Sequence, residues 1–446
     1  MPTAANLGFP RIGAHRELKR AMEEYWSGDR STQELRAEGA DLRERHWEKQ
    51  NDLGLDVVPA NDFSYYDHVL DTCAMVGAVP GRFPWNGDTV DLDTYFAMAR
   101  GLQEKDMEGE TTGVQAMEMT KWFDTNYHYL VPEFASDTEF SLSATKVIDE
   151  YEEAAALGIE TRPVLIGPVS FLLLGKSQEA DFDPLELLDS LLPVYREVLQ
   201  RLDSAGADAV QIDEPTLVTD RTDEERAAYT AAYDALADAA DLDLHVATYF
   251  GSVGDSLPTA LDLPVESLHL DLVRGEGQLD AALDYGIPDG LSLSLGLIDG
   301  RNVWRADLDD LLETVEHAIE AVGSDRVIVG PSCSLLHVPV DLDTEPSLDD
   351  EERLWLAFAT QKIEEIVALA GRAAGDVEGT ETPFARSRRA IASRADSEWV
   401  NDPAVQRRID EVDGEMARRG TDRETRQAIQ RDALGLPDLP TTTIGS

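Results

Sequence analysis

Positive charge is what this chain has least of. Of its 446 residues only 38 are Lys or Arg, against 88 Asp or Glu, a formal net charge of 38 − 88 = −50. Seven of the 38 are lysines; the other thirty-one are arginines. A surface this negative repels phosphate backbones and anionic lipid, which disfavours nucleic-acid binding and attachment to an acidic membrane surface. An acidic, lysine-poor composition also suggests a salt-rich cytoplasm, where self-repulsion is screened. Cysteine is scarce too: Cys73 and Cys333 stand far apart without metal-type spacing, so a reduced, cytoplasmic protein is expected. The N-terminus lacks the charged-then-apolar pattern of a signal peptide. The most apolar run, Pro163 to Gly175, is interrupted by Gly167-Pro168 and is too short to span a bilayer. It reads as a buried strand and turn.

What is present begins near the start. Leu7-Gly8-Phe9-Pro10-Arg11-Ile12-Gly13 ends a short apolar run, and a helical pattern follows with Leu18, Met22, Tyr25 and Trp26 on one side. Arg16, Lys19 and Arg20 share a face in its first turns, where the helix dipole is already positive. Cations there cost stability unless an anion sits among them, so the stretch is either a solvated basic turn or a site for a small polyanion. Few cations are available to this chain, yet two of its seven lysines, Lys19 and Lys121, fall in stretches singled out on other grounds.

Strand-like runs alternate with longer amphipathic stretches: Asn6–Phe9, Leu55–Pro59, Ala116–Thr120, Arg162–Ile166, Ala209–Ile212, Leu244–Thr248, Leu268–Val273, Leu291–Leu297 and Arg326–Gly330. Such alternation predicts an α/β protein with a parallel sheet, best fitted by a closed (β/α)8 TIM-like barrel. Nine runs is one too many; the surplus is either the first or the one at Ala116. Most runs end in polar residues, among them Asn61-Asp62, Lys121-Trp122, Asp213-Glu214, Thr248-Tyr249, His269 to Asp271 and Ser332 to Ser334, which a barrel gathers at one mouth. After about Ala370 the chain is rich in Arg, Glu, Asp and Ala, as expected of exposed helices. The expected division is a barrel over 1–370, a helical linker over 371–440, and the opening run of a further domain at 441–446.

Several strings are rare and specific: LGFPRIG, RELKRAMEEYWSG, DFSYYDHVL, EMTKWFDTNYHYLVPEF, PVLIGPVSFLLLGK, VQIDEPTLV, GLIDGRNVWRADL, PSCSLLHVPVDL and a terminal PTTTIGS. Through them the chain resembles the N-terminal half of the cobalamin-independent methionine synthases. That family moves a methyl group from 5-methyltetrahydropteroyl-triglutamate to homocysteine and is built from two barrels. The resemblance implies that Arg16, Glu17, Leu18, Lys19 and Lys121 hold the polyglutamate tail of the folate. It implies that Ile444, Gly445 and Ser446 match part of the homocysteine/methionine site, and that zinc and the catalytic groups belong to the second barrel. The family's zinc ligands are two Cys, a His and a Glu of the second barrel; by the resemblance Ala247, Tyr249 and Asp271 stand at three of the matching positions here and only Cys333 remains. His245 and His269 then read as core histidines, and no catalytic residue, metal or cofactor is expected in this chain. Asp213 and Glu214 match a motif found in both barrels and read here as structural. The expected partners are the folate polyglutamate and, through the second barrel, homocysteine. Two other readings stand beside this one: a non-catalytic folate-binding or scaffold barrel acting with a separate chain, and a different barrel enzyme using its own strand ends, such as a decarboxylase or corrinoid-type methyltransferase.

Overall fold

A computed structural model describes residues 1–105 and 111–441. Within it, eight strands pair in parallel: β1 (Thr3–Ala4), β2 (Val58–Ala60), β3 (Thr161–Ile166), β4 (Ala209–Asp213), β5 (Asp243–Ala247), β6 (Ser267–Asp271), β7 (Ser292–Ile298) and β8 (Val327–Pro331). Each pairs with its neighbours in sequence, and β8 returns to β1. The bridge between Ala5 and Val57 joins β1 to β2 and closes the ring. This is the α/β barrel that alternation predicted, reached because each strand is followed by chain long enough for a parallel crossover.

The surplus run is the one at Ala116. It enters a two-stranded antiparallel hairpin, Met119–Lys121 with His128–Leu130, outside the barrel ladder. The first strand also lies earlier than Asn6–Phe9, at Thr3–Ala4. Asn6, Leu7 and Phe9 are buried, so the run is apolar for a good reason, but side chains take over its hydrogen bonding. The Phe9 N–H donates to Asp62 Oδ2 at 2.7 Å, and that of Gly8 to Asn6 Oδ1 at 3.4 Å. Burial and ladder pairing are separate properties, and hydrophobicity reports only the first.

Helix α1 (Glu17–Ser27) and helix α2 (Thr32–Asp52) fill the connection from β1 to β2. Helix α2 starts on a capping box, Ser31 with Glu34, and buries Leu35, Leu42 and Trp47 on one face. After β2 come α3 (His68–Val76), α4 (Leu92–Arg100), the hairpin and α5 (Lys146–Ala156), so the β2-to-β3 connection is the longest crossover of the barrel. Among the described residues four non-glycine residues have positive φ: Arg16 (62°), Asn61 (61°), Phe123 (51°) and Phe250 (77°). All four lie in loops that follow β1, β2 and β5 or in the turn of the hairpin, as strain concentrated at a functional mouth would have it.

The first compact unit runs from Met1 to Ile391 and the second from Ala392 to Ser446. In the second, helices Pro403–Asp410 and Arg423–Leu434 are capped by Asp402 and Asp422 and bury no residue. Among the described residues no helix is long and apolar enough to cross a membrane.

Candidate functional site

The polar strand ends do converge. A cavity of about 60 Å³ is lined by Asn61 and Asp62 after β2, Asp213 at the end of β4, Tyr249 after β5, and Ser334 and His337 after β8, with Trp122 of the hairpin and Lys146 of α5. Gln211 and Tyr249 donate to the two oxygens of Asp213, at 2.8 and 2.9 Å. Burial pushes that carboxyl up to about 7 in spite of both donors. Asp62 is likewise pushed up by burial to about 7, with the Phe9 N–H opposing. Lys146 Nζ reaches Asn61 Oδ1 at 2.7 Å and carboxylate oxygens of Asp71 and Glu150 at 3.3 Å each. Burial holds His68 neutral, its pKa lowered to about 3, and lowers that of His337 to about 4. Neither imidazole therefore adds positive charge to the mouth near neutral pH.

Glu214 sits apart from its neighbour in role. It is fully buried, accepts from the Ser170 N–H at 2.9 Å and the Tyr233 hydroxyl at 3.1 Å, and lies against Gly167, where a Cβ would come within 2.0 Å of its Oε1. It joins strand end to helix. Asp213 lines the mouth, so the pair divides between cavity and scaffold.

The hairpin stands beside the mouth as a separate element. Trp122 is 1% exposed and packs edge-on against His68 with centroids 4.5 Å apart. Tyr127 stacks flat on the same imidazole at 5.3 Å and 9°. Asp124 pairs with Arg301 at 2.8 Å and with Arg274 at 3.3 Å, tying the turn to loops after β7 and β6. Arg11 Nη1 donates to the Tyr127 hydroxyl at 2.8 Å, and Nη2 donates to the Tyr66 carbonyl.

The five residues expected to hold a polyanion fall into three kinds. Arg16, Lys19 and Lys121 are exposed. Among the described residues, the side chains of Arg16 and Lys121 have neither a hydrogen bond nor an ion pair, and Lys19 has only a loose i,i+4 contact with Glu23 at 3.7 Å. Glu17 turns back on its own helix: its Oε2 accepts from the His15 N–H at 2.8 Å and its Oε1 faces Arg45 at 3.8 Å. These backbone bonds and Arg45 hold its carboxyl below the usual range against the opposing effect of burial. A Cβ on Gly13, whose φ is +81°, would meet that Oε2 at 2.2 Å, so glycine is required for this local cap. Leu18 is wholly buried and offers a ligand only its backbone. Ile444, Gly445 and Ser446 lie outside the described residues.

The zinc donors do not fit. His245 is hydrogen-bonded to Ser267, and His269 Nδ1 to Ser294 Oγ at 2.8 Å, both across neighbouring strands. Asp271 receives the backbone N–H groups of Phe250, Val273 and Arg274. Burial pushes the Cys333 thiol up, away from the thiolate a metal needs. Among the described residues no three His, Cys, Asp or Glu stand together as a metal site.

Sequence reasoning missed Arg11, Tyr127, His68, His337 and Lys146. Their signal is weak because each acts through partners far away in sequence: Arg11 and Tyr127 are 116 positions apart.

A closed parallel barrel whose polar strand ends line one mouth, with a hairpin beside it, defines the class: a (β/α)8 protein. Residues 3–323 match the family model described as the N-terminal domain of cobalamin-independent synthase. A 5-methyltetrahydropteroyltriglutamate–homocysteine methyltransferase of Salinibacter ruber is 71% identical over 446 residues, covering all of this chain and 58% of that protein. The same enzyme of Caulobacter vibrioides is 52% identical, again over all of this chain and 58% of its own length. A B12-independent methionine synthase structure from Shewanella shares the fold, with a TM-score of 0.56 at 13% identity over 85% of this chain and 98% of the other. The chain belongs to the cobalamin-independent methionine synthase family and corresponds to its N-terminal half, spanning 58% of the length of these curated relatives.

Proposed function

We propose that this barrel is the half of a methionine synthase that grips the polyglutamate tail of 5-methyltetrahydropteroyl-triglutamate, while methyl transfer to homocysteine is completed on a second barrel. The observation that carries it is the pair Arg16 and Lys121, exposed and unpaired among the described residues in a chain of net charge −50. A tail of carboxylates supplies the missing partners: Arg16 can take one in a two-pronged bond, and Lys19 and Lys121 act as point charges. Glu17 shapes the helix terminus that presents Arg16 and Lys19, and Leu18 anchors it in the core. Residues 371–440 act as the linker to the second barrel, whose opening run is 441–446, with Ile444, Gly445 and Ser446 contributing to the amino-acid site. Buried, unbridged Cys73 and Cys333 agree with a cytoplasmic setting.

The chemistry needs a zinc-activated thiolate, and the Cys, His and Asp donors among the described residues do not fit a zinc site. The chain alone is therefore expected not to turn over. Methionine formed above the uncatalysed rate by the purified chain with zinc, homocysteine and methyl-folate would overturn that.

Tail binding is tested by calorimetric titration with the mono- and triglutamyl forms of 5-methyltetrahydrofolate. The triglutamyl form should bind about tenfold more tightly or better, the equivalent of roughly 1.4 kcal/mol. The advantage should vanish in the Lys19→Ala/Lys121→Ala double variant and shrink as salt is added. Equal affinities for the two ligands in the unaltered chain would refute the reading.

A further inference from the structure

The cations assigned to the tail sit on two elements that do not share a strand or a helix. Arg16 and Lys19 belong to the loop after β1 and the first turn of α1; Lys121 belongs to the hairpin Met119–Lys121/His128–Leu130, in the crossover from β2 to β3.

 

One side chain joins these two elements. Arg11, in the loop that leads to Arg16, spends one guanidinium nitrogen on the Tyr127 hydroxyl at 2.8 Å and another on the Tyr66 carbonyl. Its guanidinium carbon also lies 5.2 Å from the centre of the Tyr127 ring. Tyr127 in turn fixes the hairpin: its carbonyl accepts the Trp122 N–H at 2.8 Å, one residue from Lys121, and its ring lies flat on His68. The other side of the turn is held by Asp124 with Arg301 and Arg274.

We propose that Arg11, through Tyr127, is a positioning residue that holds the Arg16/Lys19 group and Lys121 at one spacing and so sets the preference for a long glutamate tail. The inference rests on the tail-binding reading. Two cationic groups bind a chain of carboxylates far better when their separation is fixed, because the second contact then forms within the molecule. With the separation loose, each carboxylate is held singly, and a longer tail gains little over a short one. Arg suits the task because its planar fork bonds two partners at once, which an ammonium group cannot copy in that geometry. Neither Arg11 nor Tyr127 needs to touch the ligand.

The test measures affinities of mono- and triglutamyl 5-methyltetrahydrofolate for the full chain and for Tyr127→Phe, Arg11→Lys and Arg11→Met, with a melting curve for each. Tyr127→Phe removes one hydroxyl and keeps the ring on His68. It should lower the tri-to-mono affinity ratio about fivefold, the equivalent of one ordinary hydrogen bond, with little change in melting temperature. Arg11→Lys should lower the ratio as well although the charge remains, and Arg11→Met should lower it further. A ratio unchanged in Tyr127→Phe and Arg11→Lys overturns the proposal. So does a loss of both affinities in parallel with the melting temperature, which marks a purely structural contact. A ratio near one in the unaltered chain overturns the tail-binding reading itself, and that result is distinct from either of the others.

Discussion

Replacing Arg43 by alanine is expected to lower the unfolding free energy of the first unit by about 3–5 kcal/mol, the range for a buried ion pair stripped of one partner. Arg43 lies on α2 with its side chain 10% exposed, and it meets Glu150 at 3.3 Å and Glu153 at 2.6 Å on α5. Glu150 is 4% exposed and would keep only Lys146, at 3.3 Å, as counter-charge. Burial already raises the pKa of Glu150 against the pull of Lys146 and Arg43, so losing Arg43 leaves a carboxylate that is buried and half compensated. The midpoint of denaturant unfolding checks this. The double variant Arg43→Met/Glu150→Leu should recover most of the loss, because it removes both charges together. A cost below about 1 kcal/mol for Arg43→Ala would mean that the pair behaves as a surface one.

Trp122→Ala should cost about 3–5 kcal/mol, as for other large aromatic side chains deleted from a packed site, and the damage should stay local. Trp122 touches His68, Phe123 and Tyr129 edge-on, with centroids 4.5, 5.1 and 5.5 Å apart. The hairpin it anchors has only two strands, which is too few to hold together in water without packing. Hydrogen exchange should therefore quicken at the amides of Trp122 and Val131, whose bonds to Tyr127 and Glu118 close the hairpin at 2.8 Å each. The β4–β5 ladder should keep its protection. With Lys121 no longer held in place, the advantage of the triglutamyl ligand should disappear too. Uniform loss of protection across the barrel would show instead that the hairpin and barrel unfold as one unit.

Trp122 lies in the long β2-to-β3 crossover and Arg43 grips that crossover from α2, and the crossover is where sequence reasoning was weakest. The run at Ala116 has the composition of a barrel strand, and composition cannot tell a barrel ladder from a hairpin beside it. Asn6–Phe9 failed in the opposite way: the residues are as buried as a strand, but side chains of Asn6 and Asp62 satisfy the amides of Gly8 and Phe9. Glu17 shows a third limit. Its place in a cationic stretch is plain from the sequence, but not that it accepts the His15 N–H and faces Arg45 of α2.

By itself the sequence determined the alternation of strands and crossovers, the barrel, the polar strand ends and the scarcity of cations. These are properties of residue order and composition, which local periodicity and charge report directly. The helix Val377–Asp396, expected to be exposed, instead buries Phe384 and Ser387. Only the tertiary structure decided which of nine runs stay in the ladder, how Asp213 and Glu214 divide between cavity and scaffold, and that Arg11 meets Tyr127. Those outcomes depend on contacts between residues far apart in sequence, set by packing and hydrogen bonding in three dimensions, and no pattern along the chain records them.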